Sequence, residues 1–166
     1  MRRLCPVFNT NRMVAEYTER FYLPGCHRYR RLSENRAARG KALVDWRHRM
    51  GQNWKDVQVL EGRCEESETP SVGSMLKVTA KVRLGEIASA DVEVQAYYGE
   101  LDADRQIREG KAVPLSVEKE LEKGVYSYRG ELPSEHSGLC GFSIRVVPFH
   151  PDAILPYELP LITWEM

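Results

Sequence analysis

The spacing of apolar residues along this chain changes once, near residue 55. Downstream of Asp56 they recur at every second position, the period of a half-buried strand. The cleanest stretch starts at Met75. Leu76, Val78, Ala80, Val82 and Leu84 fall on one side, and Lys77, Thr79, Lys81 and Arg83 on the other. Val57 and Val59 open an earlier strand, and Val92, Val94, Ala96 and Tyr98 repeat the pattern. Val113, Leu115 and Val117 read as one further strand running into the charged segment Glu118–Lys123. Tyr126, Tyr128 and Leu132 follow after Gly124. Cys140, Phe142, Ile144 and Val146 face inward on a long strand that Pro148 and Pro151 break, and Leu161-Ile162-Thr163-Trp164 is the last short strand. Turn residues separate these segments, and no helical period intervenes. An antiparallel, immunoglobulin-like β-sandwich is the architecture expected, without that fold's cysteine pair and tryptophan.

Upstream the period is helical. Met13, Tyr17 and Phe21 recur every four residues with Val14 beside them, giving an aromatic apolar face. Asn9 or Thr10 is placed to cap this helix, and Leu23-Pro24-Gly25 is expected to end it. Cys26-His27-Arg28-Tyr29-Arg30-Arg31-Leu32 reads as a short irregular basic loop. Ser33 then caps a second helix, with Leu43, Trp46 and Met50 on one face and Gly51 at its end. Gly40 weakens that helix, which points to close packing there. The expected organisation is a two-helix arm over residues 1–54 and a mainly β domain over 55–166.

Charge supports this division. Of the 166 residues, the first 55 hold 13 Lys/Arg and 4 Asp/Glu, while the remainder hold 11 and 20. The net charge is zero, yet the arm is strongly basic and the β region acidic. Docking on an acidic protein surface fits this arm better than nucleic acid, because its cations lack the interleaved aromatics of single-strand binders. No apolar run approaches the ~20 residues of a membrane span. The N-terminus lacks the apolar stretch of a signal peptide, so a cytoplasmic protein is expected.

Chemistry-bearing patterns are sparse. Cys5, Cys26, Cys64 and Cys140 are scattered, and Cys140 sits in an apolar alternation that suggests burial. Cys26-His27 would need two further ligands to hold zinc. Gly138-Leu139-Cys140-Gly141 lacks the spacing of a phosphate loop. His27, His48, His136 and His150 form no metalloprotease motif. The carboxylates of Glu65-Glu66, Asp102, Asp104 and Glu109 are expected in solvated loops, without the ligand order of a calcium hand. Catalytic, cofactor-binding and metal-binding residues are therefore none.

One word in the chain is distinctive. Asn11-Arg12-Met13-Val14-x-Glu16-Tyr17-x-Glu19-x-Phe21-Tyr22-x-Pro24 closely resembles a segment near the C-terminal end of bacterial α-glucan (glycogen, maltodextrin) phosphorylases. Arg145-Val146-Val147-Pro148-x-His150-Pro151 and Leu161-x-x-Trp164 are similar to the close of those enzymes. The resemblance covers nearly the whole chain and implies that the family's chemistry lies upstream of it. The parent enzymes move glucosyl units from α-1,4-glucan to phosphate, giving glucose 1-phosphate. They use pyridoxal phosphate held by a lysine in a glycine- and asparagine-rich motif. None of Lys41, Lys55, Lys77, Lys81, Lys111, Lys119 or Lys123 sits in such a context, so no family catalytic residue transfers and no cofactor is expected in this chain.

The resemblance implies a non-catalytic docking module whose partner is the upstream catalytic domain, on the same or a separate chain. Met13, Tyr17, Phe21 or Trp46 would then be exposed, or hidden by self-association, when that partner is absent. The alternative is an α-glucan-binding sandwich using Tyr97, Tyr126, Tyr128, Trp54 or Trp164 as stacking surfaces. A third reading is a basic nucleic-acid-binding adaptor.

Overall fold

The computed structural model describes residues 9–64, 73–134, 138–153 and 158–166. Cys5, the Glu65-Glu66 pair and His136 lie outside the described residues. The chain divides into two compact units, one ending at Asp45 and one starting at Trp46.

The first unit is helical. Helix α1 (Thr10–Tyr17) starts where its cap predicts: Asn9 is extended, and its Oδ1 accepts from the Arg12 backbone N–H at 2.8 Å. Arg12 and Glu16, one turn apart, form an ion pair at 3.3 Å, both well exposed and so worth a few tenths of a kcal/mol at about the surface-pair level.

The helix does not stop at Leu23-Pro24-Gly25. A π-helical turn (Thr18–Tyr22) leads directly into α2 (Leu23–Asn53). Pro24 thus occupies the first turn of a new α-helix, where a missing N–H is tolerated. Cys26–Leu32 is helical as well, in place of an irregular loop. The interruption comes later, at Glu34–Ala37. Glu34 is extended, and Asn35, Arg36 and Ala37 have φ of 51°, 58° and 59°. Ser33 precedes that break. Across it, a Cβ added to Gly40 would lie 3.2 Å from the Leu32 carbonyl oxygen, which accounts for glycine at this position. Leu43, Trp46 and Met50 are buried along one face, as their spacing requires. The helix passes Gly51 and ends at Asn53, followed by a 3-10 turn (Trp54–Asp56).

The second unit is mainly β, with two four-stranded antiparallel sheets. One has the order β1 (Gln58–Cys64), β2 (Met75–Arg83), β6 (Val125–Pro133), β5 (Ser116–Glu122). The other has the order β4 (Ile107–Pro114), β3 (Val92–Leu101), β7 (Cys140–Pro148), β8 (Thr163–Trp164). Buried side chains come from both: Val78, Ala80 and Val82 on β2, Tyr128 and Leu132 on β6, Val94 and Ala96 on β3, Ile144 and Val146 on β7.

Two strand assignments change. Val113, Leu115 and Val117 share a parity but not a strand. Val113 belongs to β4 in one sheet, and Val117 belongs to β5 in the other. Leu115 is the buried crossing point, its N–H donating to the Val94 carbonyl at 2.8 Å. Cys140 is exposed because it lies at the very start of β7, where the alternation has not yet reached the core. The solvated loop expected to hold Asp102, Asp104 and Glu109 shrinks to a tight turn, and Glu109 lies in β4. β3 runs to Leu101, and Asp102 Oδ1 accepts from the N–H groups of Asp104 and Gln106.

Candidate functional site

On β3, burial of Val94 and Ala96 turns Glu93, Gln95 and Tyr97 to the opposite face of their sheet. On β7, burial of Ile144 and Val146 does the same for Arg145. Register then sets the neighbours. Gln95 lies opposite Arg145, and Arg145 lies opposite Trp164 on β8. The result is a compact cluster of two aromatic rings and three polar side chains.

Its geometry is well defined. The Arg145 guanidinium carbon is 4.9 Å from the centre of the Tyr97 ring and 5.3 Å from that of Trp164. Tyr97 and Trp164 meet edge to face, with centroids 5.5 Å apart and planes at 81°. Arg145 Nε donates to Gln95 Oε1 at 2.7 Å, and Gln95 Nε2 donates in turn to Glu93 Oε1. Tyr97 also crosses Gly110 of β4, where an added Cβ would fall 2.4 Å from the ring. Trp164 keeps 38% of its surface exposed.

Of the five aromatic candidates named from the sequence, the structure brings together Tyr97 and Trp164 only. Trp54 and Tyr128 are buried, and Tyr126 is half-buried on β6 of the other sheet. The Tyr128 hydroxyl and the Trp54 indole N–H have no hydrogen-bond partner among the described residues. Burial, reinforced by Tyr126, pushes the Tyr128 phenol up to about 12. Glu93, Gln95, Arg145 and Gly110 are members of the cluster that sequence alone did not place there. The alternation Glu93-x-Gln95-x-Tyr97 was a usable signal for the face, whereas the pairing with Arg145 and Trp164 was not readable.

The Pro148-x-His150-Pro151 bend is a packing joint. The Phe149 N–H donates to the Asp91 carbonyl at 2.9 Å. His150 Nδ1 accepts from the Asp152 N–H at 3.1 Å. The His150 ring packs 5.2 Å from Trp46, which is only 2% exposed. Trp46 is therefore core, not one of the exposed residues expected of the helical arm.

The α1 face is different. Met13, Val14, Tyr17 and Phe21 are all at least half exposed, with Phe21 at 61%. Tyr17 stacks on Phe21 at 5.4 Å and on Tyr22 at 6.4 Å, forming a continuous aromatic patch on the helical unit.

Six of the seven lysines are exposed and Lys81 is half-buried, whereas a Schiff-base lysine works from an enclosed site that lowers its pKa. These residues do not fit pyridoxal phosphate. Among the described residues, no group of three or more His, Cys, Asp or Glu side chains could hold a metal ion. Asp102 is held below the ordinary carboxylate range, first by the Gln106 N–H and then by Arg108 and the Asp104 N–H. It closes a turn. No helix among the described residues is long and apolar enough to cross a membrane.

Residues 54–166 match the family described as the glycogen phosphorylase C-terminal domain. This chain belongs to that family. The match opens at Trp54, in the 3-10 turn that leads into β1. Similarity to whole relatives extends over the helical unit as well. The chain is 29% identical over 164 residues to a glycogen phosphorylase of Mycobacterium tuberculosis (strain CDC 1551 / Oshkosh), covering 98% of this chain and 19% of that protein. It is 28% identical over 164 residues to a glycogen phosphorylase of Mycobacterium bovis, with the same shares covered. It is 23% identical over 168 residues to a maltodextrin phosphorylase of Thermococcus litoralis, covering 99% of this chain and 19% of that protein. No solved structure matches. This glycogen phosphorylase C-terminal domain and its helical lead-in thus span about a fifth of the length of these relatives.

Proposed function

We propose that this chain is the non-catalytic C-terminal part of an α-glucan phosphorylase, and that its helical unit docks on the catalytic region encoded upstream in the relatives. The observation that carries this reading is the exposed Met13–Val14–Tyr17–Phe21 face in a chain matching only the last fifth of much longer enzymes. A contiguous aromatic patch of this kind is costly to leave in water and marks a surface meant for a partner. Residues 1–54 form the docking arm and residues 55–166 the appended β domain. The strand orders β1-β2-β6-β5 and β4-β3-β7-β8 support an immunoglobulin-like sandwich, because the first corresponds to the ABED sheet of that fold.

In this reading the chemistry belongs to the parent enzyme, which cleaves α-1,4-glucan with phosphate in the cytoplasm and carries the pyridoxal phosphate. The excess of cations along α2, eight Lys/Arg against two Asp/Glu, steers the arm toward an acidic surface. The test uses the mycobacterial glycogen phosphorylase truncated before the segment this chain matches. Added in trans, the chain raises its melting temperature and its phosphorolysis of maltoheptaose. A truncated enzyme that is as stable and as active without the chain contradicts the proposal.

A further inference from the structure

The half-buried cluster on the outer face of the β4-β3-β7-β8 sheet is more specific than packing needs. We infer that Trp164, Arg145, Gln95 and Glu93 form a binding site for an α-1,4-linked glucan chain, with Tyr97 as the buttress that fixes its geometry. A pyranose ring offers two recognition elements at once. Its C–H face is apolar and stacks on an aromatic ring, and its vicinal 2- and 3-hydroxyls present two oxygens at the spacing of a forked donor. The cluster answers both. Trp164 supplies an indole with 38% of its surface open, beside an arginine instead of a wholly apolar neighbour. Arg145 is anchored through Nε to Gln95, and among the described residues no hydrogen bond engages its terminal nitrogens. Those two groups are the pair that bonds neighbouring oxygens together.

The remaining members fix the site before ligand arrives. Gln95 is itself held by Glu93, so the polar row Glu93–Gln95–Arg145 is a chain of bonds with acceptors at one end and donors at the other. Tyr97 cannot swing away freely, because its ring lies across Gly110 and under the Arg145 guanidinium. Ordering these side chains in advance lowers the entropic cost of binding a flexible sugar. The cluster mixes one cation, one anion and neutral groups, which suits an uncharged ligand better than a nucleic acid or a phosphate.

The stacking site stands on the geometry above, while the choice of an α-glucan among saccharides rests on the phosphorylase reading. Calorimetric titration of the whole chain with maltoheptaose, and in parallel with cellohexaose, tests both. Maltoheptaose binds and cellohexaose binds at least tenfold more weakly. Trp164→Ala and Arg145→Ala each weaken maltoheptaose binding at least tenfold, while Trp164→Tyr retains it within about threefold and shows that the fold is intact. Phe21→Glu, which disrupts the proposed docking face, leaves sugar binding unchanged, so failure of one reading is separable from failure of the other. No heat with either sugar at millimolar concentration overturns the site. Equal binding of the two sugars overturns the α-glucan assignment, and binding that survives both alanine substitutions overturns the location.

Discussion

Tyr97 lies across Gly110, so close that a single added methyl would stand 2.4 Å from its ring. Neither residue is close to the other in pattern terms, since one belongs to β3 and the other to the diagonal position on β4. The glycine gives the ring room, and the ring in turn supports Arg145 and meets Trp164. Gly110→Ala is therefore expected to destabilise the domain by about 1–3 kcal/mol, the usual range for overpacking. The loss should shrink when Tyr97 is also replaced by Ala, because the clash partner is gone. Urea denaturation of the two single variants and the double variant measures that coupling.

Tyr128 makes stability depend on pH in the alkaline range. Its phenol is raised to about 12 in the folded chain, against an ordinary value of 10.0. Between those values the unfolded chain has released this proton and the folded chain has kept it, so folding is opposed by an increasing pull toward the ionised, unfolded form. The contribution is fully present below pH 10 and is lost as pH rises through about 12. Tyr128→Phe removes this dependence. Since the hydroxyl is buried with no hydrogen-bond partner among the described residues, the variant should be at least as stable as the parent at pH 7. Thermal melts from pH 8 to 11.5 on both proteins check the prediction.

The Trp46–His150 contact ties the end of α2 to the bend after β7. Trp46→Ala leaves a large cavity at a site that is 2% exposed, and about 3–5 kcal/mol of stability should disappear with it. His150→Ala removes a smaller ring and the side-chain Nδ1 acceptor of the Asp152 N–H, and should cost less. Chemical denaturation followed by tryptophan fluorescence orders the two. A larger loss for His150→Ala contradicts this account of the bend.

The strands show where sequence is informative. Leu76 to Leu84 were readable because one buried face imposes a strict period on β2. Leu115 was not, because Val113 and Val117 keep that period while the chain crosses from one sheet to the other between them. A local alternation reports which side of a strand is buried, but not which sheet it joins. Cys140 fails for a related reason: it has the parity of Ile144 and Val146, yet it sits where β7 has only begun. In the helical unit, Pro24 signals a helix stop by every local rule. The π-helical turn at Thr18–Tyr22 lets a new helix begin just ahead of it. The Tyr97–Arg145–Trp164 cluster was half legible. Alternation identified outward faces on β3 and β7, but their register depends on long-range pairing that no local window contains.

The most direct test of the docking role is sedimentation velocity. This chain is mixed at micromolar concentration with the mycobacterial glycogen phosphorylase lacking its matched C-terminal segment. The account predicts a single faster-sedimenting complex, which Tyr17→Lys with Phe21→Glu abolishes and Trp164→Ala leaves intact. Independent sedimentation of the two proteins, or a complex indifferent to the Tyr17 and Phe21 substitutions, contradicts it.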